Sequence, residues 1–128
     1  MSSPETFPRI TNIGGSTNAL RFIEPGLFIE AAELMERCQS DWDHPTRDAQ
    51  LIQALRINSR LWDALRLDFL RVEHPLPEVT RRDLLVMSGF VDFRTLQVLS
   101  EPTMESLQAL IDVDRNLAAV LMGWARAA

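Results

Sequence analysis

Lysine and tyrosine are absent from this 128-residue chain, cysteine occurs once and glycine five times. Without lysine there is no phosphate-loop amine, no Schiff-base nucleophile and no lysine general base, and all thirteen basic residues are arginine. The lone thiol, Cys38, cannot close an internal disulfide, which fits a reducing compartment and an expectation of cytoplasmic localisation. Long hydrophobic runs are missing too. The longest nearly apolar stretch, Leu117 to Ala125, is far shorter than a bilayer-spanning helix, so no membrane insertion is expected. The opening Met1-Ser2-Ser3-Pro4-Glu5 lacks the basic-then-apolar pattern of a secretory signal. Positive charge is also scarce relative to negative. A net charge of −5, with arginines interleaved among acids, offers phosphates no attractive stripe, and direct nucleic-acid binding is disfavoured.

What is present is helical periodicity. Leu51, Leu55, Asn58, Trp62, Leu65, Phe69 and Val72 recur at steps of four and three along one stripe of a helix over about 46–72, with Thr46 as its cap and Asp48 in its first turn. The elbow His74-Pro75-Leu76-Pro77 removes backbone donors and forces a turn. A helix beginning at or near Pro77 follows, and its apolar residues between Leu84 and Leu99 cover more of the circumference than one core-facing stripe needs. Either that helix is central or it also faces a partner. A last helix, capped by Thr103 and running to about Arg126, carries the stripe Leu107, Leu110, Asp114, Leu117, Leu121 and Trp124. The first helix is expected over about 27–39, with Leu27, Ala31, Leu34 and Cys38 on one face. Cys38 therefore points inward as a structural thiol.

The short connections make successive helices antiparallel neighbours. The fold class is all-α, an up-and-down bundle of about four helices over 27–128, or three long helices with the first as a lid, preceded by an extended N-terminal arm over 1–26. The arm carries Pro4, Pro8 and the run Gly14-Gly15-Ser16-Thr17, a turn with no strand before it and no lysine after it to make a phosphate loop. Its residues Ile10, Ile13, Leu20, Phe22 and Ile23 are too apolar for a pure linker, so part of the arm is expected to lie on the bundle or to order with a partner.

Two stripes are each interrupted by one polar residue, Asn58 and Asp114. Each needs a buried partner or a route to water, and the pair is expected to meet across the second and last helices, setting their register. No nucleophile or base stands beside them, so a catalytic role is not expected. His44 and His74 precede prolines in loops without repeating zinc-ligand spacing. Trp42 is expected to pack over an end of the bundle. Arg56, Arg60, Arg66, Arg71, Arg81 and Arg82 read as a solvated helix surface beside Asp63, Asp68 and Asp83. Residue chemistry alone thus gives a helical bundle with no catalytic, cofactor-binding or metal site and no small-molecule substrate.

The wording Asn58-Ser59-Arg60-Leu61-Trp62, then Asp68, Pro75-Leu76-Pro77, Phe90-Val91-Asp92, Thr95, Val98-Leu99 and Leu107-x-x-Leu110-Ile111-Asp112-Val113-Asp114-Arg115-Asn116 resembles the FlaF family of alphaproteobacterial flagellar biosynthesis regulators. The resemblance covers about 51–123. The arm before Leu27 departs from the family's usual N-terminus, and Asp114 stands where the family typically has Asn. The resemblance implies a non-enzymatic cytoplasmic protein that supports flagellin synthesis and export as a flagellin-binding secretion chaperone, working with the translational regulator FlbT. An alternative is a regulatory adaptor that binds FlbT, or an mRNA-bound complex, without holding flagellin. A flagellin chaperone must cover amphipathic terminal helices, and a bundle does so by accepting a helix in an apolar groove. Met87, Phe90, Phe93, Leu121, Met122 and Trp124 are the residues expected to include that contact.

Overall fold

The computed structural model of the chain describes residues 24–71 and 76–127, with side chains as far as residue 123. Four helices follow one another: α1 Pro25–Ser40, α2 Arg47–Phe69, α3 Glu78–Ser100 and α4 Met104–Ala127. No strand occurs among the described residues. The all-α expectation therefore stands, whereas the arm, up to residue 23, and the His74-Pro75 part of the elbow lie outside the described residues.

Local chemistry explains the helix ends. Pro25 sits in the first turn of α1, where its missing N–H is no loss and its fixed φ suits the helix. The helix consequently starts two residues before the expected boundary and takes in Pro25 and Gly26. Thr46 does not cap α2 with its side chain. Its hydroxyl instead accepts from Gln50 Nε2 at 2.8 Å and lies 2.8 Å from His44 Nδ1, which also accepts the Thr46 amide at 3.1 Å. His44 is thus a turn-forming residue. Helix α2 stops at Phe69, three residues earlier than its apolar period suggests, and Arg81 Nη1 reaches across to donate to the carbonyls of Phe69 (3.2 Å) and Arg71 (3.0 Å). A side chain from the next helix satisfies what that end leaves open. Pro77 is the N-cap of α3. At α4, Thr103 Oγ1 accepts the Ser106 amide at 3.0 Å, the capping bond its position implies.

Cross-helix contacts fix the directions. Gln39, at the end of α1, donates to Met104 O at 3.1 Å and to Gln108 Oε1 at 3.0 Å, and Glu36 receives a two-pronged contact from Arg115 at 2.6 and 3.1 Å. Both run α1 antiparallel to α4. The Phe28 ring, near the start of α1, meets the Trp62 ring, late in α2, edge-on at 5.7 Å. Arg66 of α2 donates to Ser88 Oγ and Asp92 Oδ2 of α3, each at 2.6 Å. Successive helices therefore alternate in direction, and α1 packs most extensively on α4, closing the ring. Helix α1 is a full wall of the bundle, so the lid arrangement is excluded.

The core is continuous from Phe28 and Met35 in α1 through Leu55, Trp62 and Leu65 in α2 to Leu107, Leu110, Ile111 and Leu117 in α4. The stripes read from α2 and α4 are buried wherever their side chains are described. The stripe of α1 is rotated from expectation. Phe28, Ala31, Ala32, Met35 and Cys38 are buried, while Leu27 and Leu34 are only half-buried. The larger ring and thioether take the inward positions because Phe28 can pack on Trp62. Trp42 packs against the core cluster, with the Arg47 guanidinium 4.3 Å from its ring centre. Burial pushes the Cys38 thiol above its ordinary range, with the charge of Asp41 adding to the effect, which makes it unreactive.

Replacing Phe28 with alanine removes a fully buried ring and its edge contact with Trp62, and is expected to lower unfolding stability by about 3–5 kcal/mol in urea titration. Leu67→Ala, at an exposed position of α2, should change it by no more than about 0.5 kcal/mol.

Candidate functional site

Two features stand out once the core is in place: a polar cluster sealed inside the bundle, and an apolar face turned out of it. The first lies on the diagonal between α2 and α4. Asp114 is fully buried among apolar neighbours, and so is Asn58. Trp62 Nε1 donates to Asp114 Oδ1 at 2.8 Å. The Asn58 amide group stands 2.5 Å from Oδ2 and 3.2 Å from Oδ1: against an ionised carboxylate its nitrogen turns inward and donates, and against the protonated acid its oxygen accepts the carboxyl O–H. Asn58 and Trp62 are four residues apart on α2, so both side chains leave the same face of that helix and converge on one carboxyl group.

Desolvation raises the Asp114 pKa from 3.8 to about 7, against the opposing pull of the Trp62 hydrogen bond. The cluster has no nucleophile or second acid beside it. Its chemistry is that of a structural tie. Among the described residues no group of three or more His, Cys, Asp or Glu is placed to hold a metal ion, and no helix is long and apolar enough to cross a membrane.

The second feature is α3. Its inward face consists of Thr80, Leu84, Ser88, Val91, Thr95 and Val98, half of them hydroxyl-bearing. Thr95 Oγ1 donates back to Val91 O at 2.7 Å and Ser88 Oγ accepts from Arg66, so these hydroxyls are satisfied within the bundle. The large apolar residues point the other way. Val86 is 69% exposed, Phe93 59% and Leu96 63%, with Phe90 also exposed. A helix whose two phenylalanines face out and whose hydroxyls face in reverses the usual arrangement. Gly89 lies on this outer face with nothing within 4 Å of where its Cβ would be, so no contact inside the bundle requires a glycine there. Beside the stripe an open cleft of about 780 Å³ runs between Phe93, Leu96 and Gln97 of α3 and Ser106 and Ala109 of α4.

The six residues expected at a partner contact are thus spread over different surroundings. Phe90 and Phe93 stand on the outer stripe of α3. Met87 packs against the core, Leu121 is a core residue with 6% exposure, and Met122 is half-buried. The Trp124 side chain lies outside those described. Val86, Leu96 and Gly89 complete the outer face but did not come from sequence reasoning. The signal that finds them is the seven-residue spacing of Val79, Val86 and Phe93, with Gly89 and Leu96 interleaved. The arginines also play a larger part than a solvated surface would. Arg66 and Arg81 tie α2 to α3, Arg71 stands 3.4 Å from the buried Asp68 carboxylate, and Arg56, Arg60 and Arg82 remain outward.

Fold and site together define an antiparallel four-helix bundle with a polar tie at its centre and an unpartnered apolar face on α3. The profile of the flagellar protein FlaF family matches residues 11–121. The chain belongs to the FlaF family, and the match extends well before the motifs that carry the resemblance, taking in residues 11–26 of the arm. No curated protein and no solved structure matches the chain.

The buried carboxyl sets a pH dependence of known sign. Below about pH 4 it is protonated in both the folded and the unfolded chain. Between there and about pH 7 the unfolded chain ionises while the native carboxyl holds its proton, so stability falls as pH rises and levels off above the native pKa. The loss across this window is about 4 kcal/mol. Asp114→Asn keeps the shape without the charge. It is expected to be more stable than the parent at pH 8, with the difference shrinking by pH 5, as read by urea unfolding at both pH values.

Proposed function

We propose that this chain is a cytoplasmic, non-enzymatic flagellin-binding chaperone that supports flagellin synthesis and export. The observation that carries the reading is the outward stripe of α3. Phe90, Phe93 and Leu96 leave a run of apolar surface unburied along one helix, and Phe93 and Leu96 also border the cleft between α3 and α4. An amphipathic client helix presents i, i+3, i+4 and i+7 anchors, which such a stripe and cleft accept. Membership of a flagellar family supports flagellin as that client, because flagellin must be kept from polymerising before export. FlbT is the second expected partner.

Within this reading the contact moves from the expected mixture of α3 and α4 residues onto the outer face of α3. Leu121 and Met87 serve the core, so their substitution would unfold the bundle before it informed on binding. Co-purification of the chain with flagellin in the absence of FlbT is the direct test, and a stable binary complex is expected. Phe90→Asp and Phe93→Asp should each weaken it about tenfold or more while leaving the circular dichroism spectrum unchanged. Binding that needs FlbT, or that survives both substitutions in the folded protein, would favour the adaptor role instead.

A further inference from the structure

The outer face of α3 is organised about a point as well as being apolar. Gly89 stands near the middle of the helix, with Val86 one turn before it and Phe93 one turn after it on the same face. A glycine in an exposed helix interior costs about 1 kcal/mol relative to alanine, and no contact within the bundle offsets that cost here. Its absent side chain lets a second backbone come close. The charges at the edge of the stripe add a direction. Asp83 and Arg94 lie about three full turns apart, so both occupy one flank, with Gly89 near the midpoint between them. Neither is used in an ion pair among the described residues. Arg94 instead lies over the Phe90 ring at 5.2 Å and donates to Gln97.

We propose that the α3 stripe is a homodimer interface, in which two copies of the chain pair their α3 helices antiparallel about a twofold axis beside Gly89. Such an axis keeps each flank on its own side. Asp83 of either copy then stands beside Arg94 of the other, so the pairing forms two identical ion pairs at the rim, while Arg82, two turns from Gly89 on the same line, keeps its own Glu78 as partner at 3.3 Å. A parallel arrangement would instead put Asp83 and Arg94 of one copy on the opposite side of the interface from those of the other, and neither ion pair would form. In this register Gly89 and its copy, and likewise Val86 and Phe90 of opposite copies, come within about one residue's rise (~1.5 Å) of the same level. Two such stripes bury on the order of 1,000 Å², at the lower limit for a specific interface, so the dimer dissociates in the micromolar range. This inference does not rest on the chaperone reading. If both hold, the client and the second copy compete for one face, and flagellin binding releases monomers.

The test uses the purified full chain without flagellin. Sedimentation equilibrium is expected to show reversible association from 14.6 kDa to twice that mass over the micromolar range. Gly89→Cys should form an intermolecular disulfide on mild oxidation, since the two positions meet at the axis within bridging distance and the buried Cys38 does not compete. Arg94→Asp should weaken the dimer about tenfold, and adding Asp83→Arg to it should restore most of the loss. A chain that stays monomeric throughout the range would overturn the interface. So would a dimer that persists unchanged in Arg94→Asp, or that gives no disulfide from folded Gly89→Cys.

Discussion

One carboxyl group governs how these helices fit together. Asp114 is buried in a core of Leu, Ile and Phe, where it accepts from Trp62 and hydrogen-bonds with Asn58. Apolar stripes alone would let four similar helices slide or rotate with little penalty, because leucine packs acceptably in many registers. A buried carboxyl with two partners on the facing helix is satisfied in one alignment. Moving α4 by a turn would leave an acid and an indole N–H unpaired in apolar surroundings, at a cost of about 1–3 kcal/mol for each neutral group and more for a charged one. The tie spans the diagonal of the bundle, so it fixes α2 against α4 while α1 and α3 fill the space on either side.

The other polar contacts act around this centre and are weaker. Glu36 with Arg115, and Arg66 with Asp92, join neighbouring helices near the surface, where solvent screens them and each contributes little by itself. Their value is directional, since each is compatible only with the antiparallel order that the diagonal tie selects. Arg81 differs in kind. By donating to the carbonyls of Phe69 and Arg71 it ends α2 from outside, which accounts for that helix stopping short of the apolar period that continues to Val72.

Much of this was legible in the sequence because α2 and α4 are strongly periodic. A run such as Leu107, Leu110, Asp114, Leu117 and Leu121 has one helical solution, and the polar break inside it marks a place that must find a partner. The face of α1 was less legible. Leu27, Ala31, Leu34 and Cys38 and the buried set containing Phe28 and Met35 are both helical stripes one residue apart, and the choice between them depends on Phe28 reaching Trp62, a contact 34 positions away. The bonds of Arg66 and Arg81 were invisible for the same reason. An arginine on a polar face reads as solvated until the helix opposite supplies its acceptor. Sparse motif words also understated the family relationship, which begins at residue 11 and so takes in residues that contribute no recognisable word.

The apolar surplus of α3 was legible as a quantity before its orientation was. With Ser88 and Thr95 turned inward, α3 contributes Leu84, Val91 and Val98 to the core, fewer buried apolar side chains than α2 or α4. Phe93 and Leu96 stand outside the core, while the buried hydroxyls are kept from destabilising the helix by Arg66 and by the backbone of α3 itself. A conventional α3, with both phenylalanines inward, would bury more apolar surface in the core. The observed helix gives up some core burial and leaves an apolar face, with a central glycine that no contact within the bundle requires.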